Sequence, residues 1–416
     1  MKKNYFFLLL ITLGMAFQGA SQTASWSALT SGTTTDFTAL CAFDANTCYV
    51  GGSGGTIRKT IDGGTTWTSQ TSGTTEAIYD LNFTDINNGY AVGDNNTALK
   101  TVNGGVTWTA MTLPTTGKMF RHVEFINSTT GFITGGNVVS PGTTAGTILK
   151  TINAGLTWTV CPITGSTSAV YGINFTSATT GFASEYSGRV VKTTDGGNTW
   201  VSTATGSTVL LQNIHFSTPT NGIAVGGSGN VRRTTDGGTS WTTITVPGVS
   251  ADYYTGIDFI DANNGFISGG NPTLNTGTIL STTNGGASWS VYNPGSTRLY
   301  RLDVVNANVA YAAGVDGAIY KYSSNVGINE ITDPESAFVN YPNPFSTSTT
   351  INFKGYSFSG KVNIEVYDIK GSIIKVDFKL DGDKLIIDRS GLSAGLYAYK
   401  IYNNKSYLGN GKMIVE

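Results

Sequence analysis

Apolar and polar positions alternate along this chain in short runs, and the runs repeat. In one recurring segment two apolar residues stand seven apart across a polar Asn/Thr/Gly turn: Phe83 and Tyr90, Phe125 and Phe132, Phe175 and Phe182, Phe216 and Ile223, Phe259 and Phe266, Val304 and Tyr311. A polar turn between two such runs predicts a β-hairpin. Downstream of each hairpin a third run leads into a box that ends on tryptophan, as in Thr60-Ile-Asp-Gly-Gly-Thr-Thr-Trp67 and Thr193-Thr-Asp-Gly-Gly-Asn-Thr-Trp200. The tryptophans Trp26, Trp67, Trp108, Trp158, Trp200, Trp241 and Trp289 are separated by 41, 41, 50, 42, 41 and 48 residues, and Trp26 alone lacks a box. The unit reads strand, hairpin, strand, loop, strand, box turn, strand. Four strands in about 40 residues predict one blade of a β-propeller.

The box residues have a mechanical reading. Asp62, Asn103, Asn153, Asp195, Asp236 and Asn284 can accept from backbone N–H groups just beyond them, glycine supplies positive φ, and the closing tryptophan buries a large face beside the turn. The chain ends fix the blade count. Trp26 begins a segment that matches the one after Trp67, so residues 25–30 are a last strand without the three before it; Leu302 to Tyr322 supplies three strands without a last. Joining them predicts a seventh blade clasped from both ends, which removes the open sheet edges. The fold class is therefore all-β: a seven-bladed propeller with an N/C-terminal clasp, followed by a small immunoglobulin-like sandwich.

The ends differ from the middle. Lys2-Lys3, an apolar run from Tyr5 to Ala16, and Gly19-Ala20-Ser21 have the form of a signal peptide over residues 1–21. Residues 23–323 carry 29 Asp, Glu, Lys and Arg, whereas 324–416 carry 20 in less than a third of that length. The expected domains are the propeller over 24–323, a linker over 324–337 and a second domain over 338–416. No later stretch is apolar enough to span a bilayer, and a net charge of −1 gives no electrostatic case for nucleic acid. Cys41 and Cys48, also seven apart, take the place of the aromatic pair of other blades and predict a disulfide across the first hairpin, the alternative being two small buried thiols. Three cysteines and two histidines show no metal-ligand spacing, and no cofactor is expected.

The boxes resemble the Asp-box, or bacterial neuraminidase, repeat of sialidases, sortilin-type receptors and xyloglucanase-type hydrolases. With the hairpins, residues 25–323 look most like the photosystem II stability and assembly factor-like propellers, a resemblance specific for fold and weak for activity. In these families the boxes lie at the outer rim, away from any ligand. Departures from sialidases are clear: Phe120-Arg121 is followed by His122-Val123 instead of Ile-Pro, and Glu76, Glu124 and Glu185 sit in no Tyr-Glu motif. In the tail, Tyr341-Pro-Asn-Pro344, Val362 to Gly371, Leu392 to Tyr397 and Gly411 to Val415 together resemble the C-terminal sorting domain (type A) of the type IX secretion system of Bacteroidetes. That resemblance implies the secretion machinery as a partner, export across the outer membrane, and a protein secreted or attached to the cell surface.

The function then belongs to the propeller. Its inner strands carry a polar register with Asp80 and Asn82, His122 and Glu124, Asn213 and His215, Asp258, and Arg301 and Asp303. Aromatic residues recur where those strands begin: Phe37, Tyr79, Phe120, Tyr171, Tyr253, Tyr254 and Tyr300. Either this register is simply the wall of a wet channel, or Asp80, Arg121, His122, Glu124, His215, Asp258, Arg301 and Asp303 form a ligand site at its mouth. A second, basic register (Lys59, Lys100, Lys150, Lys192 and Arg233, broken by Ser281) precedes the boxes and suggests either a solvated rim or a glycan-docking ring. The reading is a non-enzymatic binding module for protein or glycan. A glycoside hydrolase or sialidase-like enzyme, and a structural adhesin or assembly scaffold, are the alternatives; the enzyme requires two carboxylates flanking one pocket.

Overall fold

The computed structural model describes residues 25–137, 146–166, 168–247, 252–295, 297–324, 338, 340–353, 362–368, 372–403 and 406–416. The segment expected to be a signal peptide, nearly all of the expected linker and most of the long loop after Asn137 lie outside them. The chain divides into two compact units, Met1–Val326 and Gly327–Glu416.

The first unit is a β-propeller. Among the described residues seven sheets, antiparallel but for one strand, follow one another along the chain: blade 1 runs from Phe37–Ala42 to Thr68–Gln70, blade 2 from Ile78–Phe83 to Thr109–Ala110, and so on to blade 6, which ends at Ser290–Tyr292. Blade 7 takes three strands from Leu299–Asn306, Val309–Gly314 and Ile319–Ser323, and its fourth from Ser25–Leu29, paired Ser25 to Ser323 and Leu29 to Ile319. Its inner strand also packs on that of blade 1, closing the ring. The clasp is the expected one. Blade 4 differs by a short fifth strand, Ile163–Thr164, running parallel to Trp200–Ala204.

Between blades the core is aromatic. In blades 1–4 the second member of the hairpin pair stacks on the first member of the next blade: Tyr49 on Phe83 at 4.0 Å, Tyr90 on Phe125 at 3.8 Å, Phe132 on Phe175 at 4.4 Å, Phe182 on Phe216 at 3.8 Å. The box tryptophan meets that phenylalanine edge-on, as Trp108 does Phe83 at 6.0 Å and Trp241 does Phe216 at 6.0 Å. Such pairs add about 0.5–1.5 kcal/mol each beyond their burial. Within a blade the phenylalanine faces glycine, Phe83 opposite Gly89, and a Cβ on Gly89 would sit 2.4 Å from the ring.

Blades 1 and 7 fill that space otherwise, with Ala42 opposite Cys48 and Val304 opposite Ala310. This corrects the disulfide expectation. Cys48 occupies the glycine position and Cys41 pairs with Tyr49, so the two thiols point to opposite faces of the sheet, into different inter-blade cores. Both are free and buried.

Each box is a self-contained turn. Thr60 Oγ1 accepts from the N–H of Gly64 at 2.9 Å and donates to Asp62 at 2.8 Å, and Asp62 in turn accepts from the N–H and hydroxyl of Thr66 at 2.9 and 2.6 Å. These hydrogen bonds push Asp62, Asp195 and Asp236 down to about 2. The basic register ties each blade to the next box. Lys59 donates to Gly104 O at 3.0 Å, Lys100 to Ala154 O at 2.7 Å, Lys192 to Gly237 O at 2.8 Å and Arg233 to Gly285 O at 3.0 Å. Lys321 completes the ring on Gly63 O at 3.1 Å. Ser281 breaks the series because blade 7, which follows it, has no box to hold.

The second unit is a sandwich of two four-stranded sheets, one including Ser348–Asn352 and Lys384–Asp388, the other Val362–Tyr367, Gly395–Asn403 and Ser406–Val415. Both inner faces supply one core, with Ile351, Leu385 and Ile387 meeting Val366, Tyr399, Ile401 and Met413. Among the described residues no helix is long and apolar enough to cross a membrane.

Candidate binding site at the channel mouth

Every inner strand carries an irregularity at the same place. The register shifts between Phe37 and Ala39, Ile78 and Asp80, Phe120 and His122, Val170 and Ile173, Leu211 and Asn213, Tyr254 and Gly256, and Leu299 and Arg301. A bulge leaves one residue unpaired and re-aims its side chain. Thr38, Tyr79, Arg121, Tyr171, Gln212, Thr255 and Tyr300 therefore form one ring of bulge residues, at the strand ends remote from the boxes. In it the Arg121 guanidinium lies between two tyrosines of neighbouring blades, 4.6 Å from the Tyr79 ring and 5.2 Å from the Tyr171 ring. Tyr186 lies beside Tyr171 at 6.2 Å, and Arg298 lies over Tyr300 at 4.7 Å. Phe37, Phe120 and Tyr254 are fully buried in the blades, whereas Tyr253 is exposed.

Directly below, Arg301 crosses the channel. Its Nη2 donates to the carbonyls of Tyr79 and Arg121 at 2.8 and 2.9 Å, Nη1 reaches Thr255 O at 3.4 Å, and Nε lies 3.7 Å from Asp80. Asp80 also faces His122 Nδ1 at 3.2 Å and accepts from the N–H of Val123 at 2.9 Å. Burial lowers the His122 pKa against the pull of Asp80, so the ring is neutral at pH 7. Asp80, His122 and Arg301 thus form one cluster.

One layer further down, the polar residues join the blades. Asp303 accepts from the N–H of Ala42 at 2.8 Å, Asn82 from Phe125 at 3.3 Å, Glu124 from Phe175 at 3.3 Å, Asn174 from Phe216 at 2.9 Å and Asp258 from Val304 at 2.8 Å. The Cys41 sulfur takes the N–H of Phe83. At the remaining junction His215 lies 3.3 Å from Asp258 and stacks on Phe259 at 5.4 Å. These staples are buried, and burial raises their carboxyls: Glu124 to about 8, and Asp258 and Asp303, which share a hydrogen bond, well above the usual carboxylate range. His215 is pushed down to about 4 by burial. Asn174 went unnoticed in the sequence, although it stands one residue before Phe175 as Asn82 does before Phe83. Gln212, Thr38 and Thr255 were missed because only the pairing register marks them.

A family model described as photosynthesis system II assembly factor YCF48 matches residues 71–165 and 201–333, more than half of the chain. The chain belongs to this family. Solved members have the same fold: a YCF48 bound to D1 peptide at 18% identity and TM-score 0.58, covering 72% of this chain and 95% of that one. YCF48 from Cyanidioschyzon merolae is similar at 15% identity and TM-score 0.57, covering 72% and 99%. An ancestral GH74 enzyme has 14% identity and TM-score 0.56, covering 94% of this chain and 63% of its own. Identities this low carry the fold alone. No curated protein matches. The second unit matches the secretion system C-terminal sorting domain over residues 340–416, which marks this member of the family for export as a secreted or cell-surface protein.

Proposed function

We propose that the propeller is a non-enzymatic binding module displayed outside the cell, and that it holds a segment of a protein partner at the channel mouth. The observation that carries this is Arg121, set between Tyr79 and Tyr171 on a ring of bulge residues. A cation flanked by aromatic faces offers flat apolar contact and a donor fork together. The peptide bound to the solved YCF48 supports a protein segment as ligand. Of the residues expected from the sequence, Arg121 makes the contact in this proposal, while Asp80, His122, Glu124, His215, Asp258, Arg301 and Asp303 form the floor. Against hydrolysis stands the employment of the channel carboxyls: Asp80, Glu124, Asp258 and Asp303 each accept a backbone N–H of a neighbouring blade. The tail, of type A in this proposal, addresses the chain to the type IX machinery and leaves the ligand to the propeller.

Screening the full chain on peptide and glycan arrays tests the proposal. Binding to peptides that falls roughly tenfold in Arg121→Ala and in Tyr171→Ala, as for the loss of an interface contact of about 1–2 kcal/mol, supports it. Sugar released from any array glycan, or binding indifferent to both substitutions, would count against it.

A further inference from the structure

The two junctions beside blade 7 are built differently from those of blades 1–4. Where Tyr49, Tyr90, Phe132 and Phe182 each stack on a phenylalanine of the next blade, the corresponding residue is Val304 between blades 6 and 7 and Ala42 between blades 7 and 1. Neither offers a ring to stack on, so more of the joining falls to the polar staples. Those staples are Asp258 and Asp303. Asp258 accepts from the N–H groups of Phe259 and Val304, both at 2.8 Å, and Asp303 from that of Ala42 at 2.8 Å.

The two carboxyls also share a hydrogen bond. An ionised carboxylate has no proton to donate, so this bond exists while one of the pair is protonated. Burial, and then the charge of Asp258, raise the pKa of Asp303, which makes Asp303 the donor. Among the described residues no lysine or arginine forms an ion pair with either carboxyl. Arg301, on the strand of Asp303, is engaged by three carbonyls and by Asp80, and Asp80 itself adds negative charge near Asp303. His215 lies 3.3 Å from Asp258, but burial keeps its ring neutral at pH 7. Cys41 and Cys48 of blade 1 lie near Asp303 as thiols that burial keeps protonated. Tyr311, paired with Asp303 across the blade, donates its hydroxyl to Ala45 O at 2.9 Å. The shared proton is thus what keeps two like charges from meeting.

Blade 7 is also the blade that closes the ring, because its outer strand, Ser25–Leu29, comes from the other end of the propeller. We propose that this blade carries a proton-operated latch: one proton held between Asp303 and Asp258 fastens both of its junctions, and release of that proton to water opens blade 7 and frees the Ser25–Leu29 strand. Asp258 keeps 21% of its side chain exposed, which gives the proton a way out. Ionisation turns the donor Asp303 into a second carboxylate against Asp258. As the two withdraw from each other, they pull on the Ala42 and Val304 N–H groups that join the blades. The folded pair holds its proton above the pH at which unfolded carboxyls release theirs. The latch therefore contributes most in mild acid and is lost as pH rises through the raised value. It does not depend on what the mouth binds.

Hydrogen exchange of the full chain, read as protection factors at about pH 6 and about pH 9, tests this. Wild-type amides of Ser25–Leu29 and Ile319–Ser323 should lose roughly tenfold or more of their protection at the higher pH, since one titrating group is worth up to about tenfold per pH unit. Asp303→Asn places a carbonyl oxygen where Ala42 needs an acceptor and an amide N–H where Asp258 needs a donor, so it should keep its protection at both values. Glu124→Gln, which changes the junction of blades 3 and 4, should leave the wild-type response of the clasp in place. Should Asp303→Asn not fold, the wild-type and Glu124→Gln measurements decide the matter without it. Equal wild-type protection at both pH values, an Asp303→Asn chain that loses protection as the wild type does, or a clasp response that Glu124→Gln abolishes would each overturn the inference.

Discussion

Two registers on the inner strands, a few residues apart, have opposite uses. The lower one, with Asn82, Glu124, Asn174, Asp258 and Asp303, is polar because each side chain holds the backbone of the next blade. In the bulge register Thr38 and Thr255 also reach the next blade's backbone, but Tyr79, Arg121, Tyr171 and Tyr300 meet other side chains instead, Arg121 between the two tyrosines and Tyr300 under Arg298. Polarity in a propeller channel is therefore no sign of a ligand by itself. What separates the two groups is whether a side chain's hydrogen-bonding capacity is already committed to the backbone of a neighbouring blade.

The comparison breaks or holds on substitutions. The largest loss is expected for Arg301→Ala, which strips donors from three carbonyls and leaves Asp80 without its cation. Removing one partner of such a buried pair costs about 3–5 kcal/mol, read by denaturant unfolding. Asn174→Ala should cost about 1–3 kcal/mol by orphaning the Phe216 N–H. Glu124→Gln keeps an acceptor for Phe175 but removes a titration. Because the folded carboxyl holds its proton up to about 8 while the unfolded one releases it at the usual lower value, stability is fullest in mild acid and is lost as pH rises through 8. The variant should show a flatter decline in melting temperature between mildly acidic and mildly alkaline buffer. Smallest is Arg121→Ala, expected to stay within about 0.5 kcal/mol of wild type while weakening ligand capture. If it destabilises as much as Asn174→Ala, the distinction between the registers fails.

Much of the architecture was legible because the residues that build it repeat with it. The tryptophans, the box and the unmatched Trp26 segment are local signals, and each keeps its meaning in every blade. Contacts between blades were harder to read. Lys59 and its equivalents looked like a solvated ring because their acceptors lie in the next box, 45 residues on for Lys59 and Gly104. Blade 1 shows why a single register error matters. Where other blades have Phe and Gly it has Ala42 and Cys48, so the aromatic landmark is missing and Cys41 was placed at the phenylalanine position. With a side-chain period of two, that shift of one residue turns a thiol to the opposite face. The bulge register was only partly visible, since Gln212 and Thr255 carry no mark until pairing reveals the extra residue.

The clasp has a consequence in time. Ser25–Leu29 lies near the N-terminus, and its partner Ile319–Ser323 is the last strand of the propeller to be made. During synthesis the earliest strand must wait for the latest, so the ring cannot be finished from one end as a linear repeat can. A chain cut short before Ile319 lacks its final joint however many blades it carries. Closure thus reports that the whole propeller has been delivered.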